Sequence, residues 1–333
     1  MVAGLLGNEL ISLKDEASRF RSSTFAATTK KTYRSQALCY TRFCLNFGLV
    51  PVPAVQETLI TYCAFLARTL SASSIPAYLN VVRLMHIESG YPNPLLNNWE
   101  LTSVQRGITR QLGKPPKQKS PITVPILLDL YNTVENTPAD AAFWAACLIA
   151  FFGFLRKSTL LPSSDLLLLK KYIARSDVIN LTLSSFKILI KQSKTIQFGQ
   201  RVLTLPYVSC ADPRLCPVRA LLRHVGLSKL SSDKPLFNFV VLGVEKSFTH
   251  AFFIKRLKSG LICTGNKASE FSCHSFRRGG ATLGFSLGLS AIDIKLRGDW
   301  RSNAYERYLV VSPDDSSKSI HTLTEGASRL ACL

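Results

Sequence analysis

A chain of 333 residues is long for one hydrophobic core, and with 47% of its residues apolar it holds enough material for two domains. Lysine and arginine number 41 against 21 acidic residues, a net charge of +20 spread along the chain, which argues against a neutral scaffold and points to a polyanionic partner that the protein surrounds. The longest apolar run, residues 143–155, falls short of the roughly 18 residues that suggest a membrane span, and the apolar start at residues 2–6 is too short for a secretory core. The sequence therefore predicts an intracellular protein without membrane contact. Nine cysteines, an odd number set mostly inside apolar runs, read as reduced and packed thiols. Cys210 and Cys216 flank the five residues ADPRL with no second pair nearby, so no metal is expected.

Residues 1–28 carry mixed charge and little periodicity, and predict an arm with at most a short helix near residues 10–20. From residue 29 the pattern is helical, with Tyr33, Ala37, Tyr40, Cys44 and Phe47 along one face and Gly48 as a stop. Further helices are expected over residues 55–70, from Ser74 to about Gly90, and over residues 99–112, so residues 29–113 form a four-helix bundle. Its outward faces hold Lys30, Lys31, Arg34, Arg42, Arg83, Arg106 and Arg110, which read either as DNA contacts or as an ordinary solvated surface. The Pro- and Lys-rich residues 114–125 read as a linker.

A second domain is expected over residues 126–312. Residues 141–155 are apolar on every side and predict a buried central helix, from whose end Arg156 emerges beside Lys157. An arginine there needs a partner: a phosphate, a carboxylate such as Asp165 or Asp177, or solvent. Strand patterns follow at residues 178–183, 186–191 and 202–205, with a turn around Phe198 and Gly199. Lys194 lies on the way into that turn, and Lys191 just before it. Pro217 opens a helix over residues 216–225, residues 235–240 suit a short strand or simple packing, and residues 248–261 lead toward His274. Gly279 and Gly280 suggest close helix packing, Ser290 and Asp293 a capping box, and Gly298 a helix end. Ser302 or Asn303 then caps a final helix carrying Tyr305 and Tyr308, stopped by Pro313. The tail, residues 313–333, ends in an amphipathic piece.

The chemistry concentrates in HSFRRGGATLGFSLGLSAIDIKLRGDWRSNAYERYL, which begins at His274. His274 and Arg277 lie one helical turn apart, followed by Trp300, Tyr305 and Tyr308. Histidine, arginine and indole N–H groups can donate to phosphate oxygens, and a phenol can attack phosphorus. The set describes a phosphate site with its own nucleophile.

This segment resembles the second half of the active site of the tyrosine recombinases, the family of phage integrases and Xer-type resolvases. Its wording is most similar to recombinases of eukaryotic DIRS-type, Ngaro-type and Crypton mobile elements. GFLRKSTLL, around Arg156, and KT-x-Q-x-G-x-R, from Lys194 to Arg201, resemble the family's first arginine motif and its hairpin lysine. The resemblance implies a fold that is mainly α with a small β-sheet: a four-helix SAM-like core-binding domain clamping DNA, then an α+β catalytic domain. It implies catalytic roles for Arg156, Lys194, His274, Arg277, Trp300 and Tyr308, with Tyr308 preferred to Tyr305 as nucleophile. It further implies double-stranded DNA as partner, a homo-tetramer assembled on it, a tail that docks on a neighbouring protomer, and nuclear action. Neither cofactor nor metal is required, because two guanidiniums offset the charge that develops at phosphorus. A type IB topoisomerase and a domesticated DNA-binding protein are the alternatives.

Overall fold

The computed structural model describes residues 2–115, 118–162 and 172–309, with side chains from residue 9. Asp165, Pro313 and the amphipathic tail lie outside the described residues. The chain divides into two compact units, residues 1–117 and 118–333.

The first unit is helical throughout: α1 (Val2–Ser22), α2 (Ala27–Asn46), α3 (Gln56–Ala67), α4 (Ile75–Glu88) and α5 (Trp99–Leu112). Where the sequence suggests an arm, α1 runs for 21 residues, because beyond Gly7 no glycine or proline interrupts it; residues 9–22 are exposed. The remaining four helices bury Tyr40, Phe43, Leu59, Tyr62, Leu66, Leu79, Val82 and Leu101 in one core, with Tyr40 and Tyr62 edge to face at 4.9 Å. At about 1.5–3 kcal/mol for each large side chain taken from water, this packing rather than helix propensity holds the bundle. Buried His86 ties it together, its Nε2 accepting from the Ala54 N–H and its Nδ1 facing the Val82 carbonyl, each at 2.8 Å. Asn98 caps α5 by accepting from the Leu101 N–H at 2.9 Å.

The second unit begins before the predicted linker ends. Its residues 118–123 run extended along the unit, with Ser120 N–H donating to Glu270 O at 2.8 Å and Ile122 N–H to Ser275 O at 2.9 Å. Such backbone pairing leaves no side-chain period, which is why the Pro- and Lys-rich composition conceals it. Thr123 then caps α6 (Val124–Tyr131). The central helix, α7 (Pro138–Phe152), is buried at every residue from Asp140 to Phe151, as its continuous apolar run predicts. Asp140, charged inside that helix, is paired with Arg256 at 2.7 and 2.8 Å, and Arg256 also lies over the Phe143 ring.

After the one-turn helix α8 (Lys157–Leu160) come β1 (Val178–Ile179), β2 (Ser185–Ile190) and β3 (Leu203–Val208), an antiparallel sheet in that order. Register pairs Ile188 with Leu205 and Phe186 with Tyr207, the last two rings stacked at 4.7 Å. The first strand is shorter than the 178–183 pattern because Asn180 turns left-handed (φ 52°). Next follow α9 (Pro217–Leu227), the hairpin β4 (Phe239–Val241) and β5 (Val244–Lys246), α10 (His250–Cys263), α11 (Cys273–Ser286) and α12 (Ala291–Gly298). The final helix predicted to carry both tyrosines is instead a 3₁₀ segment, Asn303–Tyr308, capped by Ser302.

Among the described residues no helix is long and apolar enough to cross a membrane, and no group of histidine, cysteine and acidic residues has the arrangement of a metal site.

Candidate active site

Four chain reversals bring the site together. Helix α7 closes at Gly153, where an added Cβ would meet the Tyr207 hydroxyl at 2.0 Å, and Phe154 follows in a left-handed conformation (φ 49°). Arg156 then stands immediately before α8. Ser272 caps α11 by accepting from the His274 N–H at 3.2 Å, while the Ser275 hydroxyl accepts from the Ser272 N–H at 2.9 Å. That cap fixes the helix carrying His274 and Arg277. Helix α12 ends in Asp299, also left-handed (φ 54°), which aims Trp300 back at α11. Finally the 3₁₀ segment returns Tyr305 and Tyr308, three residues apart and therefore on one side of it.

Close packing of α11 makes this geometry possible. An added Cβ at Gly279 would lie 1.8 Å from the Ile122 carbonyl, and one at Gly280 would lie 2.0 Å from the Phe151 carbonyl. Gly280 thus lets α11 touch α7 backbone to backbone, and Gly279 lets it touch the extended segment at Ile122, in keeping with the close packing the sequence suggests.

Arg277 is only 1% exposed. Its Nη1 donates to the Phe154 carbonyl and its Nη2 to the Gly298 carbonyl, the latter at 2.7 Å, so the guanidinium sits where the carbonyl ends of α7 and α12 converge and favour a cation. The Trp300 ring covers it at 3.6 Å and the Tyr308 ring lies 5.3 Å away, while its Nε has no hydrogen-bond partner. Burial, and then the charge of Arg156, push its pKa down to about 9, which leaves it charged at neutral pH. Trp300 therefore lies against Arg277 and packs on Phe154, Tyr305 and Tyr308. Tyr305 is buried beside Trp300, whereas Tyr308 is half-buried and lines a cavity of about 320 Å³ together with His274, Arg278 and Arg307.

Arg156 is more open. Among the described residues its nearest carboxylate is Asp299, 3.9 Å from Nη1, and its Nη2 donates to the Asp299 carbonyl at 3.4 Å. Asp177, the other described carboxylate weighed as its partner, binds Lys191 at 2.6 Å instead. Lys194 is exposed in the loop between β2 and β3. His274 is exposed at the cavity mouth, and its pKa is lowered first by burial of its ring and then by Lys157, Arg277, Arg156 and Lys194. His250 is likewise lowered by burial, Lys157 and His274. Lysines and arginines that add to burial in lowering these histidines mark a place where an anion would be stabilised.

The structure thus gathers Arg156, His274, Arg277, Trp300 and Tyr308, and sets the Lys194 loop beside them. The seven basic residues predicted to face DNA belong to the other unit; six are exposed on α2 and α5, while Arg83 on α4 is half-buried and donates to Asn80 at 3.0 Å. Sequence reasoning passed over Asp299. Its carboxylate accepts from Ser193 at 3.0 Å and also from Thr195 and Arg201. Burial alone would raise its pKa, yet these hydrogen bonds outweigh it and hold the carboxyl below the ordinary range. The available signal was one acidic residue inside the basic stretch LRGDWR.

No family model matches this chain. The chain is 26% identical over 304 residues to an integrase/recombinase XerD homolog of Selenomonas ruminantium, covering 88% of this chain and 83% of that protein. Its fold matches lambda integrase bound as a dimer to a COC′ core site (TM-score 0.58, 13% identity, 89% of this chain and 93% of that one). It also matches the Tn1549 transposon integrase in complex with circular intermediate DNA (TM-score 0.59, 12% identity, 92% and 97%). The mainly helical fold with small sheets is therefore the one those integrases share. The likeness to the XerD homolog thus extends over most of both chains, and the likeness to the two integrases is one of fold.

Proposed function

We propose that this chain is a site-specific tyrosine recombinase that integrates or excises a mobile element through a 3′-phosphotyrosyl intermediate. The observation that carries the reading is the clustering of two arginines, Arg156 and Arg277, with Trp300 stacked on Arg277, next to a cavity lined by His274 and the half-buried Tyr308. In the proposed reaction the Tyr308 oxygen attacks phosphorus and the bond to the 5′ oxygen breaks. Lys194 gives the departing oxygen its proton, and His274 manages the proton of the phenol. Arg156 and Arg277 offset the charge of the pentavalent transition state. Attack by the 5′ hydroxyl of a second strand then releases Tyr308 and completes exchange. The burial of Tyr305 beside Trp300 supports Tyr308 as the nucleophile.

Structures of relatives include a lambda integrase tetramer bound to a Holliday junction, which supports a tetramer on DNA here. The wording shared with eukaryotic elements supports nuclear action on such an element's ends.

Burial of Arg277 beneath Trp300 favours a second reading, a domesticated DNA-binding protein that no longer cleaves. A duplex nicked beside the target phosphate separates the two. Recombination requires a covalent protein–DNA adduct mapping to Tyr308, plus exchanged strands; binding without any adduct would leave only the second reading, and relaxation without exchange would indicate a topoisomerase.

A further inference from the structure

We propose that Asp299 is a positioning residue that locks the Lys194 loop against the phosphate-binding arginine Arg156. This assignment rests on the recombinase reading above and adds a residue to it. Asp299 sits in the left-handed turn between α12 and Trp300 (φ 54°), and its carboxylate is nearly buried. One oxygen, Oδ2, accepts from the hydroxyls of Ser193 and Thr195, the residues on either side of Lys194. The other, Oδ1, accepts from Arg201, at the far end of the same loop. Oδ2 also lies 3.9 Å from Arg156, whose Nη2 reaches the Asp299 carbonyl.

The loop itself is short of regular hydrogen bonds: between Ile190 and Leu203 its backbone pairing among the described residues reduces to Ser193 with Ile196. Side chains must therefore hold it. Ser193 Oγ accepts from the Thr195 and Ile196 N–H groups at 3.1 Å, forming a small turn around Lys194 whose hydroxyls all converge on one carboxylate. Arg301, two residues beyond Asp299, adds a bond from Nη2 to the Thr195 carbonyl at 2.6 Å. A lysine on a free loop would sample many positions. Here the same turn that aims Trp300 also fixes the base of Lys194, so the proton donor and the oxyanion ligands are set by one backbone reversal.

The test uses Asp299→Asn, because asparagine tolerates the left-handed conformation and keeps the side-chain size while losing the charge and one acceptor. Covalent adduct formation is measured on nicked duplexes carrying either the normal 5′ oxygen or a 5′ bridging sulfur, whose departure needs little protonation. Wild type should react with both, and absence of adduct in wild type would overturn the recombinase reading itself. Asp299→Asn should lose on the order of a hundredfold with oxygen and recover most of it with sulfur, in parallel with Lys194→Ala. Ser193→Ala combined with Thr195→Val approaches the contact from the loop side and should give the same rescue with an unchanged turn at Asp299. Equal loss on both substrates, or no loss on oxygen, would overturn the assignment.

Discussion

Arg277 and Arg156 stand at two ends of one cluster, and their surroundings differ in kind. Arg277 is buried, divided between two backbone carbonyls and covered by an indole ring. Arg156 is partly open, beside a carboxylate that three other groups share. The buried end is held by packing and by the convergence of helix ends, so it is part of the core. The open end is held by a single side chain at a turn, so it can be altered without loss of the fold. In the structure as it stands, each Nη of Arg277 gives one N–H to a backbone carbonyl, and Nε has no hydrogen-bond partner.

The largest expected effect tests the chemistry at the buried end. Tyr308→Phe should abolish the covalent adduct with DNA affinity unchanged, while Tyr305→Phe, which keeps the ring packed on Trp300, retains the adduct; phosphate mapped to Tyr305 would reverse the roles. Next comes the contrast between the arginines. Both Arg277→Ala and Arg156→Ala should lose cleavage, but only Arg277→Ala should lower the urea midpoint strongly, reflecting a loss of about 3 kcal/mol or more of unfolding free energy, because it leaves buried carbonyls unpaired beneath Trp300. The same midpoint shift for both would erase the distinction between the two ends.

A smaller effect should appear in the histidines. His274 and His250 are held below the ordinary histidine range by burial and by Lys157. In the pH window just below 6.5 the unfolded chain therefore binds more protons than the folded one, so stability should rise with pH through that window and be lost as pH falls. By NMR titration, Lys157→Gln should raise the His274 pKa more than Lys194→Gln does, and bound inorganic phosphate should raise it in wild type. A larger response to Lys194→Gln would mean the loop lies closer to His274 than Lys157 does. The smallest change belongs to the helical unit: Arg34→Gln should reduce the slope of log affinity against log salt by about one, whereas an unchanged slope would make Arg34 a solvated surface residue.

Much of the fold is legible because its periods are local. The all-round apolar run of α7, the Gly279–Gly280 pair and the cap at Ser272 can each be read within about fifteen residues. The 3₁₀ path of Asn303–Tyr308 is not, since an i, i+3 pair of tyrosines fits both helix types. The six residues expected at the site carry motifs, and motifs are local too. Asp299 carries none: its partners Arg156, Ser193, Thr195 and Arg201 lie about a hundred residues or more upstream, and only the folded chain brings them together. Burial of Arg277 was equally hidden, because a charged residue in a helix pattern reads as solvent-facing.

The backbone contact at Gly279 and Gly280 has a consequence for selection experiments. If α11 were randomised and survivors chosen for recombination, glycine should return at both positions as stubbornly as His274 and Arg277, although neither glycine has a side chain to offer the reaction. A family profile weighted only toward reacting groups would overlook them. Requiring the pair to begin two residues after the arginine of the histidine-to-arginine step would sharpen the search for distant homologues, since carbonyl oxygens at 1.8 and 2.0 Å from the would-be Cβ exclude even alanine without a shift of the whole helix.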